Sequence, residues 1–109
     1  MTRLHWLGFA AVSALLVAGT AQATGNKARG RTLVYTCAGC HGIPGYSTVY
    51  PTYPVPKIAG QNAQYIIDAL HEYKDGDRTY PTMVAQAQSL SEQNIEDIAA
   101  YLSSLKPIK

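Results

Sequence analysis

Cys37, Cys40 and His41 form the most chemically distinctive group in this chain, in the run Cys37-Ala38-Gly39-Cys40-His41. Two thiols separated by two residues stand about one helical turn apart, on one side of the backbone. That spacing suits addition across the two vinyl groups of one haem, and the imidazole of the next residue then meets the iron as proximal ligand. Small Ala38 and Gly39 let the backbone approach the porphyrin edge. Three other chemistries share part of the pattern. A thioredoxin-like dithiol uses C-x-x-C, but that fold needs strands, and the sequence has no stretch of period-2 polarity. A zinc site needs more ligands than two cysteines and the histidines supply at usual spacings. A short-loop disulfide gives His41 no task. The run therefore reads as the attachment site of one haem c, held by two thioethers.

An iron bound by His41 has a second axial position to fill. Met83 lies 42 positions after His41, in a connection that also holds Pro81. A lone methionine is ordinarily core filler, but few residues here can face a haem iron. His71 is the rival, in mid-helix beside Glu72 and Lys74 on what reads as a solvated face with Asp68. An open position is the third option. A thioether opposite an imidazole favours the ferrous state and raises the potential relative to two imidazoles.

The elements that must position these groups are helical. A short helix is expected over residues 27–37, then a loop from Gly42 to Gln61 rich in Gly, Pro and Tyr. A second helix is expected over about 62–75, where Ile66, Leu70 and Tyr73 fall at i, i+4 and i+7, and Asp75-Gly76-Asp77 stops it. Residues 77–90 read as a connection with a helical turn near Val84–Gln88. The last helix starts at Ser91, with Glu92 at the positive end of its dipole. It carries the stripe Ile95, Ile98, Ala99, Leu102 and Leu105 and ends before Pro107. The class is all-α, with three to four short helices around one haem.

The first 23 residues read as an address: a short charged start, an apolar run over Trp6–Val17, and small residues ending at Ala23. The expected division is a signal peptide at 1–23 and one haem-binding domain at 24–109, working in the periplasm. Retention as a membrane anchor is the alternative, although the run is short of the roughly 20 residues a span needs. Cleavage would leave Met83 as the sole methionine. Over the 109 residues, nine Lys+Arg against seven Asp+Glu give a formal net charge of +2. That balance excludes a nucleic-acid binder, which needs a dense basic patch, and makes long-range steering of partners weak.

Taken together, these residues resemble the class I c-type cytochromes, in particular small proteobacterial periplasmic ones and the single-haem halves of their dihaem relatives. The likeness rests on Gly30 seven residues before Cys37, the Cys37–Gly42 run, Pro56-Lys57-Ile58-Ala59-Gly60-Gln61, Met83, Leu90-Ser91, and Ile98-Ala99-Ala100-Tyr101-Leu102. The resemblance implies that the first and last helices cross at Gly30, with Ile98 and Tyr101 packed against it. It also implies that a loop carbonyl accepts the Nδ1 proton of His41, with Pro44 and Pro56 both candidates. One departure is the Tyr46–Tyr53 stretch, longer and richer in Tyr and Pro than usual. Its rings are expected to cover the propionate edge of the haem, with partner docking as the competing role.

With His41 and Met83 both on the iron, no position remains for a substrate. The expected function is therefore periplasmic electron carriage between redox partners and not enzymatic turnover. The alternative is a haem c subunit, or electron-entry or exit module, of a periplasmic dehydrogenase or oxidase complex. Donor and acceptor proteins are the expected partners, including membrane-bound redox complexes, with no membrane span in the processed chain.

Overall fold

The computed structural model describes residues 25–49, 52 and 54–108, and every regular element among them is an α-helix. In chain order these are α1 (Lys27–Leu33), α2 (Tyr35–His41), α3 (Ala63–Asp75), α4 (Pro81–Gln88) and α5 (Glu92–Ser104). The expected leader and its cleavage point lie outside the described residues. No helix among those described is long and apolar enough to cross a membrane.

Local chemistry sets most of the boundaries. Asn26, Asn62 and Ser91 cap α1, α3 and α5, each side chain accepting the N–H three residues on, from Arg29, Tyr65 and Asn94. Gly42 and Gly76 end α2 and α3 with φ of 65° and 88°, in the left-handed region that favours glycine.

Two elements depart from the sequence reading and account for five helices where three to four were expected. The single helix expected over 27–37 is two helices meeting at Val34. Hydrogen bonds run on through the joint, from the Val34 N–H to Gly30 and from the Ala38 N–H to Val34, while ψ at Val34 opens to −1°. A change at one ψ angle leaves the spacing of apolar residues unaltered, so periodicity cannot reveal it. The second half also runs past Cys37 to His41, which puts the whole Cys37–His41 run on α2. The connection expected over 77–90 holds a full two-turn helix started by Pro81 at a position where its missing N–H costs nothing. Met83 is therefore in the first turn of α4 and not in a loop.

α5 is the spine. It packs on both α1 and α3, and α4 packs on α3. Val34, Ala38, Ile43, Ile66, Ile98, Ala99 and Leu102 form the buried cluster between these elements. α1 and α5 cross at Gly30, where an added Cβ would collide with the Asp97 carbonyl and lie 2.8 Å from Tyr101 Cβ. Tyr101 is the neighbour the resemblance implied. The other nearest neighbour is Asp97, and Ile98, one residue on, belongs to the buried cluster. The loop before α3 is tied to the same spine: the Gly60 N–H donates to the Leu102 carbonyl at 2.8 Å, and a Cβ on Gly60 would lie 2.6 Å from Pro107 N.

Candidate functional site

α2 presents Cys37 and Cys40 on one face, with His41 in the next position, all three at a cavity of about 450 Å³. The loop from Pro54 to Gln61, α3 and α4 enclose the rest, and Ile98 and Leu102 of α5 line its depth. Met83 lines the same cavity. Four residues chosen from sequence alone are thus brought together around one largely apolar space, from α2 and α4, with 42 positions between His41 and Met83. A cavity of this size is in the range of cofactor sites.

Cys37 and Cys40 are not joined to each other as a disulfide. Burial pushes the Cys37 thiol up from its ordinary range, opposed by Thr36, whose hydroxyl lies 4.0 Å from the sulfur, and reinforced by Cys40. His41 Nδ1 lies 2.5 Å from the Pro56 carbonyl oxygen. A carbonyl can only accept, so Nδ1 carries the ring proton and Nε2 keeps its lone pair for a metal. This contact chooses Pro56 over Pro44, which is exposed in the turn after α2.

The other sequence candidates lie elsewhere. His71 does not line the cavity. Its Nε2 is 2.5 Å from Glu92 Oε2 at the start of α5, and Lys74 beside it donates to the Leu90 carbonyl at 2.7 Å. The face read as solvated is partly exposed and also carries pairs, with Gln64 on Asp68 and Arg78 on Glu72 as well. Tyr46 does not cover the cavity either: its hydroxyl donates to the Arg31 carbonyl and its ring packs on the buried cluster, tying the loop to α1. Tyr50 and Tyr53 lie outside the described residues. No group of three or more His, Cys, Asp and Glu among the described residues could hold a bare metal ion, which leaves the zinc reading without a ligand set there.

Two features escaped the sequence reading. Tyr65, Tyr73, Arg78 and Tyr80 also line the cavity. Tyr65, Ala69 and Tyr73 recur every four residues, a stripe beside Ile66 and Leu70 that could have been read as a second face of α3. Arg78 carries no such local signal, because its place depends on the turn at Gly76. The second feature is Asp97, a fully buried carboxylate in mid-α5. Its Oδ1 accepts the Asn26 N–H at 2.7 Å and the Gln93 amide at 2.9 Å, and its Oδ2 lies 3.3 Å from Arg29 Nε. Burial works to raise its pKa. The hydrogen bonds from Asn26 and Gln93 and the charge of Arg29 outweigh burial and hold it below the usual carboxylate value.

The donor set around the cavity fits haem c. Two thiols a turn apart match its two vinyl groups, a tautomer-fixed imidazole and a thioether match its iron, and Ile58, Ile66, Leu70, Ile98 and Leu102 match its apolar faces. Comparison with known proteins agrees. The family model described as Cytochrome c matches residues 27–106. The chain is 41% identical over 88 residues to cytochrome c4 of Pseudomonas aeruginosa, covering 81% of this chain and 42% of that protein. It is 40% identical over 83 residues to cytochrome c-554(548) of Halomonas halodenitrificans, covering 73% of this chain and 96% of that one. Over 80 residues it is 36% identical to the cytochrome subunit of sulfide dehydrogenase of Chlorobaculum tepidum, covering 73% and 69%. The chain thus spans less than half the length of its cytochrome c4 relatives and nearly all of cytochrome c-554(548). With a family model matched across almost the whole described region, the chain belongs to the cytochrome c family, the haem c proteins of electron transfer.

Proposed function

We propose that this protein is a periplasmic carrier of single electrons, with haem c joined to Cys37 and Cys40 and with His41 and Met83 as the axial ligands. The observation that carries this reading is the meeting of both thiols, the imidazole and the thioether at one cavity. Haem c, when bound, supplies an iron that gains and loses one electron. The chain's part is to hold that iron closed and fixed. The Pro56 carbonyl orients the His41 ring and fixes its tautomer. α4, packed on α3, brings Met83 to the same cavity. Apolar side chains exclude water, which reduces the solvent rearrangement that accompanies a change of charge. With both axial positions taken, no substrate reaches the iron, and the protein exchanges electrons with partner proteins and does not turn over a substrate of its own. Residues 1–23 serve in this reading as the leader that exports the chain.

A second reading has one observation in its favour, the likeness to the cytochrome subunit of a sulfide dehydrogenase. In it the same closed haem passes electrons from a catalytic chain, and affinity capture from the native periplasm would bring down that chain in fixed ratio.

The deciding experiment for the axial ligands is the absorption spectrum of the holoprotein, oxidised, reduced, and reduced under carbon monoxide. A methionine–iron charge-transfer band in the oxidised form, with no change under carbon monoxide, is expected. A missing band with prompt carbon monoxide binding would mean an open iron, and ligand binding or sensing would replace carriage as the function.

A further inference from the structure

Met83 rides on a helix that cannot hold itself in place. α4 has eight residues, its N-cap side chain makes no capping hydrogen bond, no acidic residue stands in its first turn, and Ala87 is its one buried residue. A helix of that length is marginal in water by itself. Among the described helices α4 packs on α3 and makes no close backbone approach to α1, α2 or α5. Its direction is therefore set by α3 and by the connections at its two ends.

The connection to α5, Ser89-Leu90-Ser91, is where α3 takes hold. The Ser89 hydroxyl donates back to the Gln86 carbonyl at 2.7 Å and the Leu90 N–H to the Ala87 carbonyl at 3.1 Å, so α4 closes its own last turn. The Leu90 carbonyl is met from outside: Lys74 Nζ, in the last turn of α3, donates to it at 2.7 Å. The same ammonium lies 3.8 Å from Glu92 Oε1, and the other Glu92 oxygen lies 2.5 Å from His71 Nε2, one turn back along α3. His71 and Lys74, three residues apart on one face of α3, thus reach the α4–α5 junction together. Their weights differ. The side chains of His71 and Glu92 are 38% and 69% exposed, and a pair so exposed holds little. The Lys74 side chain is 27% exposed, and its bond to the Leu90 carbonyl is charge-assisted. The ammonium also stands just past the C-terminal, negative end of the α4 dipole.

We propose that Lys74 is the positioning residue for the sixth ligand of the iron: by gripping the Leu90 carbonyl it keeps α4 shut on α3 and so keeps the Met83 thioether in place. The inference rests on Met83 as axial ligand. It makes α4 a flap and the Lys74–Leu90 contact its clasp. Opening the flap leaves the frame of α1, α3 and α5 standing, because α5 packs on α1 and α3 without α4.

The test is imidazole binding to the ferric holoprotein at neutral pH, followed by loss of the methionine–iron band, in wild type, K74M, K74R and G30A. In this exchange the imidazole nitrogen bonds to the iron as the Met83 sulfur leaves it, so the apparent affinity reports how readily α4 opens. K74M keeps the apolar stem and removes the donor. It is expected to bind imidazole about tenfold more tightly than wild type, in keeping with the loss of one charged hydrogen bond. K74R keeps a charged donor and should return toward wild type. G30A loosens the α1–α5 crossing and not the flap, so it should lower the denaturant midpoint and leave imidazole affinity unchanged. Equal affinity in K74M and wild type overturns the assignment. An equal gain in K74R overturns it too, since the donor would then be irrelevant, and an equal gain in G30A would trace the effect to general loosening. If K74M yields no holoprotein, E92Q decides, because it removes the carboxylate beside the Lys74 ammonium: tighter imidazole binding supports the clasp, and unchanged binding overturns it. The two readings fail differently. A wild type without the methionine–iron band strikes the axial-ligand reading and the clasp with it, whereas a wild type with the band and a K74M that matches it strikes the clasp alone.

Discussion

His41 and Asp97 show how single contacts divide the work of this chain. The Pro56 carbonyl, 2.5 Å from His41 Nδ1, fixes the tautomer of an otherwise ambiguous imidazole and leaves Nε2 with its lone pair. Asp97 serves the fold: buried in α5, it receives the backbone N–H of Asn26 and the charge of Arg29, and so fastens the start of α1 to the spine. Its folded pKa lies below the ordinary value, so its contribution to stability is complete above the unfolded value of about 3.9. That contribution is lost as pH falls from there through the lower folded value. Asp97→Asn in the holoprotein should cost about 1–3 kcal/mol at neutral pH, by weakening contacts that a buried charge had satisfied. Guanidinium titrations at neutral pH and below the folded pKa check it: the gap between variant and wild type should close in acid. A gap independent of pH would mean that the side chain's shape matters and its charge does not.

At the scale of elements, the crossing of α1 and α5 is the contact on which the others depend. Alanine is ordinarily better than glycine inside a helix by about 0.5–1 kcal/mol. At Gly30 a Cβ would meet the Asp97 carbonyl and Tyr101, and steric overlap should win. Gly30→Ala is expected to destabilise the holoprotein by about 1–3 kcal/mol, seen as a lower denaturant midpoint at unchanged slope. A stabilised variant would mean that the helices part at no cost. The crossing at Gly30 was legible only through the family resemblance, whereas α3 and α5 were legible because their caps and apolar stripes are local signals. The join at Val34 was not legible, since one ψ angle changes no spacing. α4 was read as a connection because eight residues hold too few apolar positions to establish a period, and only its packing on α3 makes it a helix. That Cys37, Cys40, His41 and Met83 share one cavity was legible because their residue types are rare and their spacing is distinctive. Arg78, Tyr65 and Tyr73 were missed as lining residues because common residue types reach one cavity only when a turn brings them together.

For the whole molecule, the cavity is a demand as much as a site. At about 24 cal/mol per Å³ of void, leaving some 450 Å³ unfilled would cost up to about 10 kcal/mol, the upper limit being reached only if water did not enter its mouth. That is comparable with the entire stability of a small domain, about 5–15 kcal/mol. The polypeptide without its haem should therefore be largely unfolded: the Cys37→Ala/Cys40→Ala variant should lack helical circular dichroism, and a native helical spectrum would show that the core stands alone. In the proposed reading a filled cavity also holds both axial ligands, and proton NMR of the ferrous holoprotein examines this most directly. If Met83 is on the iron, its methyl protons lie over the porphyrin face, and the ring current moves them far upfield of any ordinary methyl. That resonance should be present in the wild type and absent in Met83→Ala. A Met83 methyl at the usual position in the reduced protein would contradict the closed iron and, with it, the reading of this protein as an electron carrier.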